Sequence, residues 1–230
     1  DKVIMQAGGI GYGTQKDALK DTPKEGDRIV ILGGDNYRIG MGGAAVSSAD
    51  TGAFGAVIEL NAIQRSNPEM QKRAANAIRG LVESENNPIV SIHDHGAGGH
   101  LNCLSELVED TGGHINLDAL PVGDPTLSAK EIIGNESQER MGLVIAEKDL
   151  NLLKDIAERE RAPIFNVGEV SADKRFSFVS KTTGERPMDM DLEDMFGSAP
   201  KTQMVDKTIS RKYDSPQYEL EKFQDYLDHV

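Results

Sequence analysis

The stretch Asp27-Arg28-Ile29-Val30-Ile31-Leu32, closed by Gly33-Gly34, decides the fold. It is a continuous apolar run without alternation, which is the pattern of a strand buried on both faces. Downstream, Asn67-Pro68 opens a helix, with Asn67 as N-cap and Pro68 at the first helical position. Met70, Ala74, Ala77, Ile78 and Leu81 share one face of that helix. Pro88 to Ile92 reads as a second buried strand that delivers His93-Asp94-His95 to its C-terminal end. Leu101 to Val108 reads as a helix, and so does Lys148 to Arg161, with Leu150, Leu153, Ile156 and Ala157 facing inward. Ser128 caps a short helix through Ile133, and Asp191 to Phe196 forms a last one. Lys2 to Ala7, Val57 to Ile63, His114 to Leu120, Met141 to Ala146, Ile164 to Val170 and Arg175 to Ser180 read as further strands. Strands alternating with helices predict an α+β, layered α/β/α domain with a mixed sheet covered by helices.

Composition narrows the function. The chain has 230 residues, with 25 Lys+Arg against 38 Asp+Glu, a net charge of −13. That charge argues against a nucleic-acid footprint, which needs a basic patch. No apolar run approaches the roughly 18 to 20 residues that span a bilayer. The single Cys, Cys103, excludes an internal disulfide framework and fits a reducing, cytoplasmic compartment. The chain starts at Asp1 without Met and enters a strand-like run at once, as an excised domain would. Residues 1–200 form the expected domain. Residues 201–230, mixed in charge, read as a linker or tail toward a next domain, with a short helix near Tyr218 to Leu227.

Candidate chemistry lies in four places. Gly8-Gly9-Ile10-Gly11 fails the G-x-G-x-x-G pattern, because Thr14 stands where glycine is required. Gly40-Met41-Gly42-Gly43-Ala44-Ala45-Val46-Ser47-Ser48 suits either an anion cradle or tight helix–sheet packing. Asp94 falls beyond a strand's carboxyl end, where ligand groups collect in layered α/β sheets. It could hold Mg²⁺, or bond backbone amides as a turn residue. The run Asn135-Glu136-Ser137-Gln138-Glu139-Arg140 offers a carboxylate, a hydroxyl and an amide in succession. Such a trio suits a polyhydroxylated or amide ligand, and an ordinary solvated loop is the alternative. His93, His95, His100 and Cys103 match no closed zinc spacing. No G-x-S-x-G elbow supports a serine triad.

Gly8–Gly11, Gly40–Ser48, Gln64-Arg65-Ser66-Asn67-Pro68-Glu69-Met70, His93-Asp94-His95-Gly96-Ala97-Gly98-Gly99 and Asn135–Arg140 occur together in this order. As an ordered set they resemble the phosphoribosylformylglycinamidine synthase family in its large multidomain form. The resemblance covers about residues 1–200 and the first of that family's two C-terminal-type domains, a type shared with aminoimidazole ribonucleotide synthetase, thiamine-phosphate kinase and selenophosphate synthetase. It implies an ATP- and glutamine-dependent ligase of purine biosynthesis that makes formylglycinamidine ribonucleotide from formylglycinamide ribonucleotide. ATP would activate the substrate's amide oxygen, and ammonia would then displace phosphate. The resemblance places Asp94 on a Mg²⁺ position and Gln64, Glu136, Ser137 and Gln138 on substrate positions. Gly42 and Gly43 fall on the substrate phosphate or on packing. His95 and His100 fall where members often carry apolar residues. The resemblance also implies absent partners: a synthetase N-terminal-type domain that binds most of ATP, and a glutaminase domain. This piece alone is therefore expected to be inactive. A stand-alone module for a phosphorylated ligand and a kinase-like relative are the competing readings.

Overall fold

The structure is a computed structural model that describes residues 8–13, 15, 18–50, 52–62, 67–137 and 139–197. In the tail it describes 201–205, 207, 210, 212–215, 217 and 219–228. The chain divides into two units, Asp1–Gly197 and Ser198–Val230.

The first unit is built on β1 (Arg28–Leu32), β2 (Ile89–Asp94), β3 (Gly113–Asn116), β4 (Met141–Ile145), β5 (Ile164–Val170), β6 (Arg175–Val179) and β7 (Met188–Asp191). They form a seven-stranded sheet in the order β2-β4-β1-β5-β3-β6-β7. The β3–β6 pair is parallel and the other pairs are antiparallel. The helices are α1 (Gly43–Ser47), α2 (Ala56–Ala62), α3 (Pro68–Val82), α4 (Gly99–Glu106), α5 (Ala129–Ile133), α6 (Leu150–Arg159) and α7 (Leu192–Phe196). The mixed sheet with helices on both faces is the expected α+β layered architecture.

The unbroken apolar run of β1 now has its cause. Ile29 and Ile31 pack into a core with Cys103, Leu104, Leu107 and Val108 on and just beyond α4. Val30 and Leu32 point the other way, into a core with Ala74, Ala77 and Leu81 of α3 and Leu150, Leu153 and Ala157 of α6. A strand in the middle of the sheet, covered on both faces, has no solvent side to mark with polar residues. Each fully buried Leu or Ile side chain contributes about 1.5 to 3 kcal/mol. Asn67 caps α3 as expected, its side chain accepting from the Met70 amide at 3.1 Å. Ser128 and Glu131 form a reciprocal capping box on α5.

Helix α4 lies close over β4. A Cβ at Gly142 would stand 2.6 Å from Cys103 Sγ and 3.1 Å from Leu107. Cys103 is 2% exposed, its thiol donates to the His93 carbonyl at 3.4 Å, and burial pushes its pKa well above the ordinary thiol value. We therefore expect the native chain to resist iodoacetamide at mildly alkaline pH and to react with one equivalent in concentrated urea. Mass spectrometry of the alkylated protein checks this, and rapid native labelling would contradict the burial.

Two expectations are corrected. The strand expected over Val57 to Ile63 is a helix as far as the described residues go, Ala56–Ala62 being α2, and Ile63 lies outside them. Val57, Ile58 and Leu60 are 72%, 52% and 64% exposed, so their apolar pattern does not mark a buried sheet face. Strand β7 was not anticipated. Its sequence, Met188-Asp189-Met190-Asp191, alternates apolar and acidic residues, but for only four positions. Arg175 of β6 compensates by bonding Asp189 at 2.8 Å and Asp191 at 2.7 Å across the strand pair. His114 to Leu120 is a strand only to Asn116, followed by a 3₁₀ turn. The expected strand Lys2 to Ala7 lies outside the described residues.

The second unit holds a 3₁₀ turn, Leu220–Lys222, running into helix α8 (Phe223–Leu227). Leu220, Phe223 and Leu227 on it are exposed.

Candidate functional site

Antiparallel pairing assembles the site. Strand β2 ends at Asp94, directly opposite Met141, the first residue of β4. The loop leaving β2 and the loop entering β4 must therefore run side by side. The His95 amide donates to the Arg140 carbonyl at 3.2 Å, and the Ser137 amide donates to the His95 carbonyl at 3.0 Å.

The Gly-rich segment joins them. Met41 bridges Asn135, and the Glu136 amide donates to the Gly40 carbonyl at 3.0 Å. The Asn135 side-chain amide donates to the carbonyls of Tyr37 at 2.9 Å and Ile39 at 2.7 Å. Two glycines make this approach feasible. Gly40, at φ +75°, lies against the Glu136 carbonyl, and Gly99, at φ +59°, lies against the Asn135 backbone. A side chain at either would collide and be strained as well. Helix α2 also meets this corner, since the Met41 amide donates to the Asn61 carbonyl at 2.9 Å.

Glu136 links the three segments. Its carboxylate accepts from the Ala44 amide at 3.2 Å and from the Gly98 amide at 3.3 Å. The protein's own carboxylate thus sits at the starts of α1 and α4, next to the expected phosphate cradle at Gly42 and Gly43. Gly42 itself is exposed, and Gly43 is half-buried. Glu136 and Ser137 are each 3% exposed, which rules out the solvated-loop reading of this run. Ser137 Oγ has no hydrogen-bond partner among the described residues.

Asp94 is exposed, between half-buried His93 and fully buried His95. His93 Nδ1 lies 3.0 Å from Glu106 and its Nε2 3.3 Å from Lys20 Nζ. Asp94, Gly42, Gly43, Glu136 and Ser137 thus lie on three segments laced together at one end of the sheet. Gln64 and Gln138 lie outside the described residues. Gln64 follows helix α2 rather than a strand.

Sequence reasoning did not single out Asn36 or Arg140. Arg140 is fully buried and donates to Asn36 Oδ1, to His100 Nε2 at 3.0 Å, and to the Asn135 carbonyl and Oδ1 at 2.6 and 2.8 Å. Asn36, His95 and His100 are equally buried. The rings of His95 and His100 meet edge to face, with centroids 4.7 Å apart. Burial first, and the Arg140 charge second, push both imidazoles well below their usual pKa, so they are neutral.

A second constellation lies elsewhere. His114 Nδ1 is 2.8 Å from Ser177 Oγ, and its Nε2 is 3.0 Å from Asp173 Oδ2. Ser177 is fully buried, so this triad-like chain presents no accessible nucleophile. A cavity of about 230 Å³, lined by His114, Arg28, Asn116, Asn166, Glu169 and Lys181, includes no residue of the candidate site.

Residues 24–181 match the family described as AIR synthase related protein, C-terminal domain. The chain belongs to this family. The resemblance read from the ordered motifs is borne out. Curated relatives named phosphoribosylformylglycinamidine synthase include one from Dictyostelium discoideum, 42% identical over 210 residues, covering 89% of this chain and 15% of that protein. Another, from Saccharomyces cerevisiae, is 37% identical over 233 residues, covering 100% of this chain and 17% of that protein. The chain thus spans about one sixth of the length of these relatives. Among solved structures, Thermotoga maritima PurL complexed with FGAR has 27% identity and a TM-score of 0.73, covering 90% of this chain and 35% of that one. This AIR synthase related domain shares its layered fold with that structure. No helix among its described residues is long and apolar enough to cross a membrane.

Proposed function

We propose that this domain is part of a cytoplasmic, ATP- and glutamine-dependent carbon–nitrogen ligase that converts formylglycinamide ribonucleotide to formylglycinamidine ribonucleotide. The observation that carries the reading is the lacing of the Gly40–Ala44, His93–Gly99 and Asn135–Arg140 segments around Glu136, with the Asp94 carboxylate exposed beside them. The names of the relatives and the ribonucleotide in the Thermotoga maritima structure support it. In this reading Ser137, Gln138 and Gln64 contact the ribonucleotide. Glu136 fixes the rim by holding the Ala44 and Gly98 amides, and the exposed backbone at Gly42 and Gly43 faces the phosphate.

Mg²⁺ fits the donor set. Among the described residues no three His, Cys, Asp or Glu side chains cluster to cage a metal. Asp94 offers one exposed carboxylate that no described residue hydrogen-bonds. A small hard cation that keeps several waters and shares substrate phosphate oxygens needs no more from the protein. When bound there, Mg²⁺ would neutralise charge on the phosphoryl oxygens. The chain's own residues position the ribonucleotide and bury its rim. Most of the ATP site and the source of ammonia belong to other domains, so the 230-residue chain alone is expected to form no amidine.

The test is a ligase assay on the longer parent protein with ribonucleotide, ATP, Mg²⁺ and glutamine, scoring ADP and amidine. Absence of both products with a folded enzyme would refute the reading. Gln138→Ala is expected to weaken ribonucleotide binding by about tenfold, the worth of one good polar contact, with turnover at saturation little changed. Unchanged affinity by calorimetry would remove Gln138 from the substrate rim.

A further inference from the structure

The buried network beneath the site has a direction. A guanidinium carries only donors, so Arg140, 3.0 Å from His100 Nε2, requires that nitrogen to accept. Asn36 is compatible with either role, since its Nδ2 lies 3.1 Å and its Oδ1 3.3 Å from the same His100 Nε2, so the direction is set by Arg140. A neutral imidazole whose Nε2 accepts carries its proton on Nδ1. His100 Nδ1 lies 2.9 Å from His95 Nε2, so it donates there. His95 Nε2 therefore accepts in turn, and the His95 proton must sit on Nδ1. That Nδ1 is buried and meets no acceptor at hydrogen-bond geometry among the described residues, although the Arg140 carbonyl, which accepts from the His95 amide, also acts on the ring. The His95 backbone is bonded on one side to Ser137, whose buried hydroxyl is likewise unpartnered, and on the other to Arg140.

We propose that Arg140 drives a one-way hydrogen-bond relay through His100 and His95, which presents the Nδ1–H of His95 as a fixed donor to a guest oxygen at the candidate site. The guest is an ordered water or an oxygen of the bound ribonucleotide; the second source rests on the function proposed above. A buried N–H is rarely left unmade, because its lost hydration is not recovered without an acceptor. His95 thus contacts the guest directly, and His100, which sets its tautomer, is the positioning residue. The opposite tautomer would turn a nitrogen lone pair toward the guest and reject an acceptor.

Long-range ¹H–¹⁵N correlation on the histidine-labelled 230-residue chain reads each ring's proton directly. Expected are Nδ1–H on both His95 and His100, with the His95 proton either cross-relaxing with water or shifting when ribonucleotide and Mg²⁺ are added. The first response identifies water as the guest and the second the ligand. Because the tautomers are read before any ligand is added, failure of the ribonucleotide to bind leaves the relay tested on its water arm. A proton on Nε2 of either ring overturns the proposal, as does a His95 Nδ1–H that neither water nor ribonucleotide touches. His100→Gln offers an oxygen to Arg140 and an N–H to His95, so His95 should keep its Nδ1–H. A His95 proton moved to Nε2 in that variant also overturns it.

Discussion

On the proposed function, Asp94→Asn in the longer parent protein is expected to cut turnover more than about tenfold while the fold survives. The side chain is exposed and no described residue hydrogen-bonds to it, so its charge is free of any structural duty. Its strand position is held by backbone pairing with Met141, which the substitution leaves intact. Asn keeps the shape and loses the negative charge that attracts a hard cation. The loss should fall on turnover and raise the Mg²⁺ concentration needed for half-maximal rate. Wild-type turnover and wild-type Mg²⁺ dependence in a folded Asp94→Asn enzyme would remove the metal role.

Arg140→Leu is expected to be the costliest change to stability. Arg140 is fully buried and meets acceptors on Asn36, His100 and Asn135. Leucine would orphan them together, and at about 1 to 3 kcal/mol for each buried unmet group the loss is roughly 3 kcal/mol or more. Arg140→Lys should rescue little, because an ammonium cannot reproduce the planar fork that spans these groups. Urea unfolding followed by circular dichroism checks both. A midpoint within error of wild type for Arg140→Leu would show that the network carries no net stability.

The sequence revealed the fold where one physical signal dominated. Ile29 to Leu32 announced a strand buried on both faces because two cores demand apolar side chains on each side. Helices α3 and α6 showed through because a single apolar stripe on each meets the sheet. The signal failed at Val57, Ile58 and Leu60, apolar residues that the fold leaves exposed. It was too short to read at β7, whose Met–Asp alternation lasts only four residues and is held by ion pairs to Arg175.

The site divides in the same way. Asp94 was visible from its place at the end of a strand, and Glu136 and Ser137 from their polar succession. Their convergence was not, since it depends on β2 lying beside β4, and strand order leaves no mark on local sequence. Nor did residue type show that Glu136 faces backbone amides, or that Arg140 and Asn36 lie buried together. Arg140 was quoted only as the end of a polar run; polar residues flanked by apolar strands gave no cue that they were interior.

The most direct test of the proposed function is a crystal structure of the longer parent protein with ribonucleotide, a non-hydrolysable ATP analogue, and Mn²⁺ replacing Mg²⁺ to give an anomalous signal. The expected result is a metal peak at first-coordination distance from the Asp94 carboxylate, with the ribonucleotide against Ser137 and Gln138. A metal bound away from Asp94, or a ribonucleotide seated on another face of the sheet, would contradict the account.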